Sequence, residues 1–108
     1  MIPSVGRIVH YTLTEQDAEQ INKRRSDAGL HVRERREDPQ GYVAHIGNSA
    51  DAGRVCPMVI VRVWNGEQPA TETTAVNGQV LLDGNDSLWV CSVGQGTGER
   101  QWHEPPRA

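Results

Sequence analysis

Val76-Asn77-Gly78-Gln79-Val80-Leu81-Leu82, then Asp83-Gly84-Asn85-Asp86, then Ser87-Leu88-Trp89-Val90-Cys91-Ser92-Val93: no other stretch carries so strong a local signal. Two apolar runs rich in Val and Leu flank four turn-forming residues, which is a strong short-range signal for a β-hairpin. Gly84 and Asn85 tolerate positive φ, and the side chains of Asp83 and Asp86 can accept hydrogen bonds from nearby amides. Val80, Leu82, Leu88 and Val90 are the expected core positions of the hairpin.

Working outward, residues 55–64 read as the clearest strand. Val59, Val61 and Val63 are expected on one face, with Ile60, Arg62 and Trp64 on the other. Pro57 cannot donate to a ladder and belongs near a strand start or an edge. Residues 5–11 read as a first strand; its adjacent Ile8 and Val9 predict partial burial on both faces. Between these strands the period changes. Thr14 and Asp17 form a capping pair, with Thr12 and Glu15 as an alternative register, and Glu15 and Asp17 put negative charge in the first turn. A helix is predicted over 14–28, with Ala18, Ile21 and Ala28 as its thin apolar stripe, stopping at Gly29. Residues 30–41 read as a mobile loop and 42–46 as a short strand. The Gly94-Gln95-Gly96-Thr97-Gly98 run reads as a flexible linker, since no Lys-Ser/Thr ending or following helix makes it a phosphate loop. Trp102 is expected to return to the sheet as a lid.

One strand, a helix and then about four strands within 108 residues predict a single domain, mainly β with one inserted helix. Closing so small an antiparallel sheet removes its exposed edges, which predicts a small SH3-like barrel. The core must be thrifty: Phe is absent, and Trp64, Trp89, Trp102, Tyr11 and Tyr42 are the large anchors. No run of about 18 apolar residues offers a membrane span, and the first residues lack the pattern of a signal peptide. A soluble protein of the cytoplasm is expected. Cys56 and Cys91 do not make a disulfide framework or a zinc site.

Net charge is −3, unevenly spread. Residues 23–38 hold six of the eleven basic side chains and stand at +2, which leaves −5 for the remainder. Tight binding of duplex DNA needs many phosphate contacts, so it is not expected of this chain. A small anionic ligand suits the local cluster better. His10, His31, His45 and His103 share no metal-ligand spacing. Asp83 and Asp86 are explained as turn formers before they are explained as an acid–base pair. No catalytic residue and no cofactor is expected.

The cluster Asn22-Lys23-Arg24-Arg25 is the best functional candidate. Successive helical residues are about 100° apart, so three consecutive cations cannot all face solvent. In this reading Arg24 and Arg25 hold phosphate, Tyr11 and Trp89 or Trp102 supply stacking planes, Asn22 belongs to the same face, and Asn85 reads a polar edge.

Val5-Gly6-Arg7-Ile8-Val9-His10-Tyr11 followed by Ala18-Glu19-Gln20-Ile21-Asn22-Lys23-Arg24-Arg25 resembles a group of small accessory proteins of tailed phages infecting actinobacteria. Ala44-His45-Ile46-Gly47-Asn48, Val59-Ile60-Val61-Arg62-Val63, Leu81-Leu82-Asp83-Gly84-Asn85-Asp86 and Trp102-His103 carry the resemblance along nearly the whole chain. Lys23 stands where the group carries Arg, and Glu104 where a second Trp is common. The resemblance implies a phage accessory protein of the host bacterial cytoplasm, of a kind that inhibits host factors or sequesters nucleotide signals of antiviral defence. The expected activity is therefore non-enzymatic binding of a small anionic nucleotide, a cyclic nucleotide among them. The rival expectation is a protein-interaction module that binds and inhibits a host or phage protein. Single-stranded nucleic acid ranks third, and a homo-oligomer is compatible with each reading.

Overall fold

The computed structural model describes residues 1–34 and 45–107. The elements are β1 (Ile8–Thr12), α1 (Glu15–Glu34), β2 (Val55–Val63), β3 (Val76–Leu81), β4 (Ser87–Gln95) and β5 (Gln101–His103). The five strands close in the order β1-β2-β3-β4-β5, with β5 returning to β1. Neighbours are antiparallel except for a short parallel contact between β4 and β5 at Gly94–Gln101 and Gln95–Trp102. The chain is a small SH3-like barrel, mainly β, with its helix inserted after the first strand. Among the described residues no helix is both long and apolar enough to cross a membrane.

The β3–β4 hairpin forms, but not through the expected turn chemistry: neither Gly84 nor Asn85 adopts a positive φ, and the side chains of Asp83 and Asp86 accept from the Asn48 side chain and from arginines rather than from turn amides. Val80 pairs with Leu88 and Gln79 with Trp89, and the Leu82 amide donates to the Asp86 carbonyl across the turn. Val80, Leu88 and Val90 are buried and Leu82 packs at the margin of the core. Gly78 faces inward where the Met58 thioether lies against it, so any side chain there would displace Met58. Alternation then sorts the other strands. Val9, Tyr11, Cys56, Met58 and Ile60 point inward with Val76, Val93 and Trp102.

Trp102 is fully buried within β5, so it is part of the wall and core rather than a lid over them. The glycine run does not behave as a free linker. Gly94 lies in β4, the Gly96 amide donates to the Trp102 carbonyl, and the Gly98 amide donates to Gln101 Oε1. This turn is what brings β5 beside β4.

Other expectations need correction. Strand β1 begins at Ile8, because Val5 and Gly6 form a turn in which Gly6 adopts φ +91°. Ile8 and Val9 do not share burial: Val9 is inside and Ile8 is exposed. In β2 the inward side is Met58 and Ile60, while a bulge between Ile60 and Arg62 puts both Val61 and Arg62 outside. Pro57 is the third residue of β2, and the ladder to β3 starts one residue later, at Met58–Val80, so its missing N–H removes no bond on that side.

Helix α1 is capped by Thr14. The Asp17 amide donates to Thr14 Oγ1 at 2.9 Å and the Thr14 amide to Asp17 Oδ2 at 3.0 Å, a reciprocal capping box. The helix does not stop at Gly29 but runs on to Glu34. A glycine inside a helix costs only about 1 kcal/mol relative to Ala, and Gly29 is not in the left-handed conformation that would end one. The expected loop is thus helical over residues 30–34, and its remainder lies outside the described residues. So do residues 42–44 of the expected short strand. His45 and Ile46 are not in a strand; an isolated bridge joins Gly47 to Gly84. Its partner is a turn, too short to extend a ladder.

Candidate functional site

The basic cluster of α1 meets the hairpin turn. Asp86 closes that turn with a side chain only 3% exposed, and Arg25 grips it through two parallel bonds. Nη1 donates to Oδ2 at 2.8 Å and Nη2 to Oδ1 at 2.9 Å. Arg24 Nη1 adds a bond to Oδ2 at 3.1 Å and another to the Ser87 carbonyl at 2.8 Å. His45 Nδ1 lies 3.6 Å from the same carboxylate. Burial alone would push the Asp86 carboxyl up; the hydrogen bonds and charges of Arg25 and Arg24 outweigh it and hold the group below its ordinary value.

Asn22 clasps the main chain of Ala50, donating through Nδ2 to its carbonyl at 2.9 Å and accepting from its amide at 2.8 Å. Asn85 Oδ1 accepts the Ile46 amide at 2.9 Å, and Lys23 pairs with Asp27 one turn along the helix. Together these contacts tie the helix, residues 45–50 and the hairpin turn to one another. The junction beneath them, lined by Leu13, Ile21, Ala50, Cys56 and Leu82 among others, encloses about 10 Å³. That is space for at most one water. A phosphate at Arg24 and Arg25 would have to displace Asp86.

The expected stacking planes are separated. Tyr11 is inside the barrel, and its hydroxyl donates to Asp17 Oδ2 at 2.6 Å. Burial first, then that hydrogen bond and the Asp17 charge, raise its pKa far above the ordinary value, with Arg100 opposing. Trp102 is buried as well, because its large apolar surface is what fills a core without Phe. Trp89 is the exception: it is 57% exposed. Of the seven residues, Arg24 and Arg25 come together on Asp86, Asn22 and Asn85 brace the same junction, and the three aromatic rings share no site with them.

Trp89 belongs to a different surface. Register places Ile8 opposite Val59, Val59 opposite Gln79, and Gln79 opposite Trp89, one row across the outside of four strands. Val61 and Leu81 are exposed beside this row. At its margin Trp64, 45% exposed, donates from Nε1 to Asn77 Oδ1 at 2.8 Å. Asn77 is itself buried, and the same oxygen accepts the Ser92 amide at 2.8 Å. This second bond supports Ser92 at φ 55°, an uncommon conformation for a residue other than glycine. The Arg62 guanidinium carbon lies 3.8 Å from the centre of the Trp64 ring. A buried amide thus holds an exposed indole, and the indole carries an arginine.

Charge separates this wall from the rest of the chain. None of the five strands contains Asp or Glu, although the protein has fourteen of them, and Arg62 is the one Lys or Arg on any strand. The Arg62–Trp64 pair was legible as an i, i+2 neighbour pair on one strand face. The role of Asn77 had no sequence signal beyond an Asn inside a strand.

Other surfaces carry less. An open depression at the start of α1 is lined by Glu15, Asp17, Glu19, Glu99 and Arg100, with Thr14 and Gln16, an acidic setting that suits no anion. Among the described residues, no three of His, Cys, Asp and Glu come together as a metal site requires. Comparison with protein-family models, curated proteins and solved structures finds no match for the chain.

Proposed function

We propose that this chain is a non-enzymatic binding module that docks a partner protein on the outer wall of β1 to β4. The observation that carries the reading is the exposed Trp89 on that wall together with the exposed Trp64 at its margin, the latter oriented by a buried asparagine. Trp and Arg dominate the energetic centres of protein interfaces, where aliphatic neighbours exclude water and charges are few. Ile8, Val59, Val61 and Leu81 supply those neighbours, and the acid-free wall supplies the low charge.

The resemblance to accessory proteins of actinobacterial phages makes a host or phage protein of the bacterial cytoplasm the partner to seek first. Affinity capture from an actinobacterial lysate, repeated with Trp89→Ala and Arg24→Ala, tests the reading. The expected partner is retained by the parent and by Arg24→Ala and lost by Trp89→Ala. Capture that Trp89→Ala leaves intact would sink this reading. Titration with cyclic nucleotides tests the small-anion alternative, for which loss of binding in Arg25→Ala is the required result.

A further inference from the structure

We infer that the partner is recognised through an extended acidic segment: an apolar anchor packed at Trp89 and an Asp or Glu carboxylate held by Arg62. This rests on the binding-module reading and adds to it the chemistry of the occupant.

Three residues form a chain of support. Asn77 is buried and fixes the Trp64 indole by the 2.8 Å bond to Nε1. The fixed ring supports the Arg62 guanidinium 3.8 Å from its centre. A cation–π contact at this distance uses no N–H···O bond, so the guanidinium keeps its hydrogen-bonding capacity. Among the described residues, Arg62 makes no hydrogen bond and no ion pair, in contrast to Arg24 and Arg25. A planar fork of donors, already oriented and unspent, matches a carboxylate in two parallel bonds. No strand carries a carboxylate that could satisfy it from within the wall.

Magnitudes select the kind of occupant. Arg62 pairs with Asn77 and Trp89 with Gln79. Their Cα atoms are therefore two strands and two residues apart, roughly 12 Å by standard sheet spacings. An extended chain rising ~3.3 Å per residue spans that distance in about four residues. A carboxylate on such a segment complements Arg62, whereas twofold pairing with a second copy of this chain would bring Arg62 towards its own counterpart.

The experiment uses the full chain and synthetic extended peptides of eight residues, each with a Leu or Trp anchor and Glu four positions away. Matched peptides carry Gln or Lys in place of Glu, and a dT15 oligonucleotide is included. Isothermal titration is expected to show the Glu peptides binding about tenfold tighter than the Gln peptides, the range of one charge-assisted bidentate contact, with the Lys peptides weaker still. In Arg62→Lys and Arg62→Ala, Glu and Gln peptides should bind alike, and thermal melting should confirm that both variants are folded. Peptides that bind through Trp89 with no preference for Glu would overturn this inference and leave the binding-module reading standing. Failure of every peptide would overturn the acidic-segment inference, and capture lost in Trp89→Ala would then still support the module. Binding of dT15 in preference to the peptides, or concentration-dependent dimerisation lost in Trp89→Ala, would overturn it in favour of those occupants.

Discussion

The helix–turn junction and the outer barrel wall both use arginine, to opposite ends. At the junction Arg24 and Arg25 converge on a carboxylate that is 3% exposed, and the positive charge is consumed inside the molecule. On the wall Arg62 lies across an indole and meets no carboxylate among the described residues. The denser pair of cations thus spends its charge on an internal carboxylate, and the isolated one does not. Local charge density in a sequence measures what a segment carries, while availability depends on what the fold sets against it.

The sharpest way to break the contrast is at Asp86. Asp86→Ala strands two arginines at the junction and should cost about 3 kcal/mol, the range for removing one partner of a buried ion pair. Urea denaturation measures it. Should the loss stay under about 0.5 kcal/mol, as for an ordinary surface site, the junction would not be the lock described here.

Asp86 also dictates an acid limb. Its carboxyl is held low in the folded protein, so its stabilisation is complete above the unfolded value of about 3.9 and is lost as pH falls through the lower folded value. Stability of the parent should drop below about pH 4, and Asp86→Asn should flatten that part of the profile. An unchanged slope in denaturation midpoints from pH 5 to pH 2 would remove Asp86 from the explanation.

Asn77→Ala probes the other region. It takes the acceptor from the Trp64 indole and the Ser92 amide together, for a loss of about 2 kcal/mol. Trp64 should also gain mobility, seen as lower steady-state fluorescence anisotropy in a Trp89→Phe background. A ring that stays fixed would mean that Arg62 alone orients it.

The smallest stability effects belong to the wall itself. Trp89→Ala and Arg62→Ala should each change stability by no more than about 0.5 kcal/mol while abolishing or weakening partner binding. A large stability loss in either variant would reclassify the wall as core.

The hairpin, the helix start and the mainly β character were legible because they depend on local chemistry. Turn residues at 83–86, a reciprocal Thr14–Asp17 cap and apolar alternation act over a few residues. The end of the helix was less legible, since Gly29 stops a helix only if the chain adopts a left-handed conformation there. Site residues were the least legible. Trp64, Trp89 and Trp102 are alike in composition, yet Trp102 is sealed in the barrel and Trp89 stands outside it.

What the sequence determined by itself was local: the course of β1 to β4, where the hairpin turns and how the helix begins; β5 carried no strand signal of its own. Tertiary structure decided which face of each strand became interior, through the bulge after Ile60 and the closure of β5 on β1. It also decided which arginines were neutralised, because Asp86 is sixty-one residues from Arg25 in the chain and 2.8 Å from it in space. Local pattern encodes backbone conformation, but charge pairing across that separation exists only once the barrel has closed.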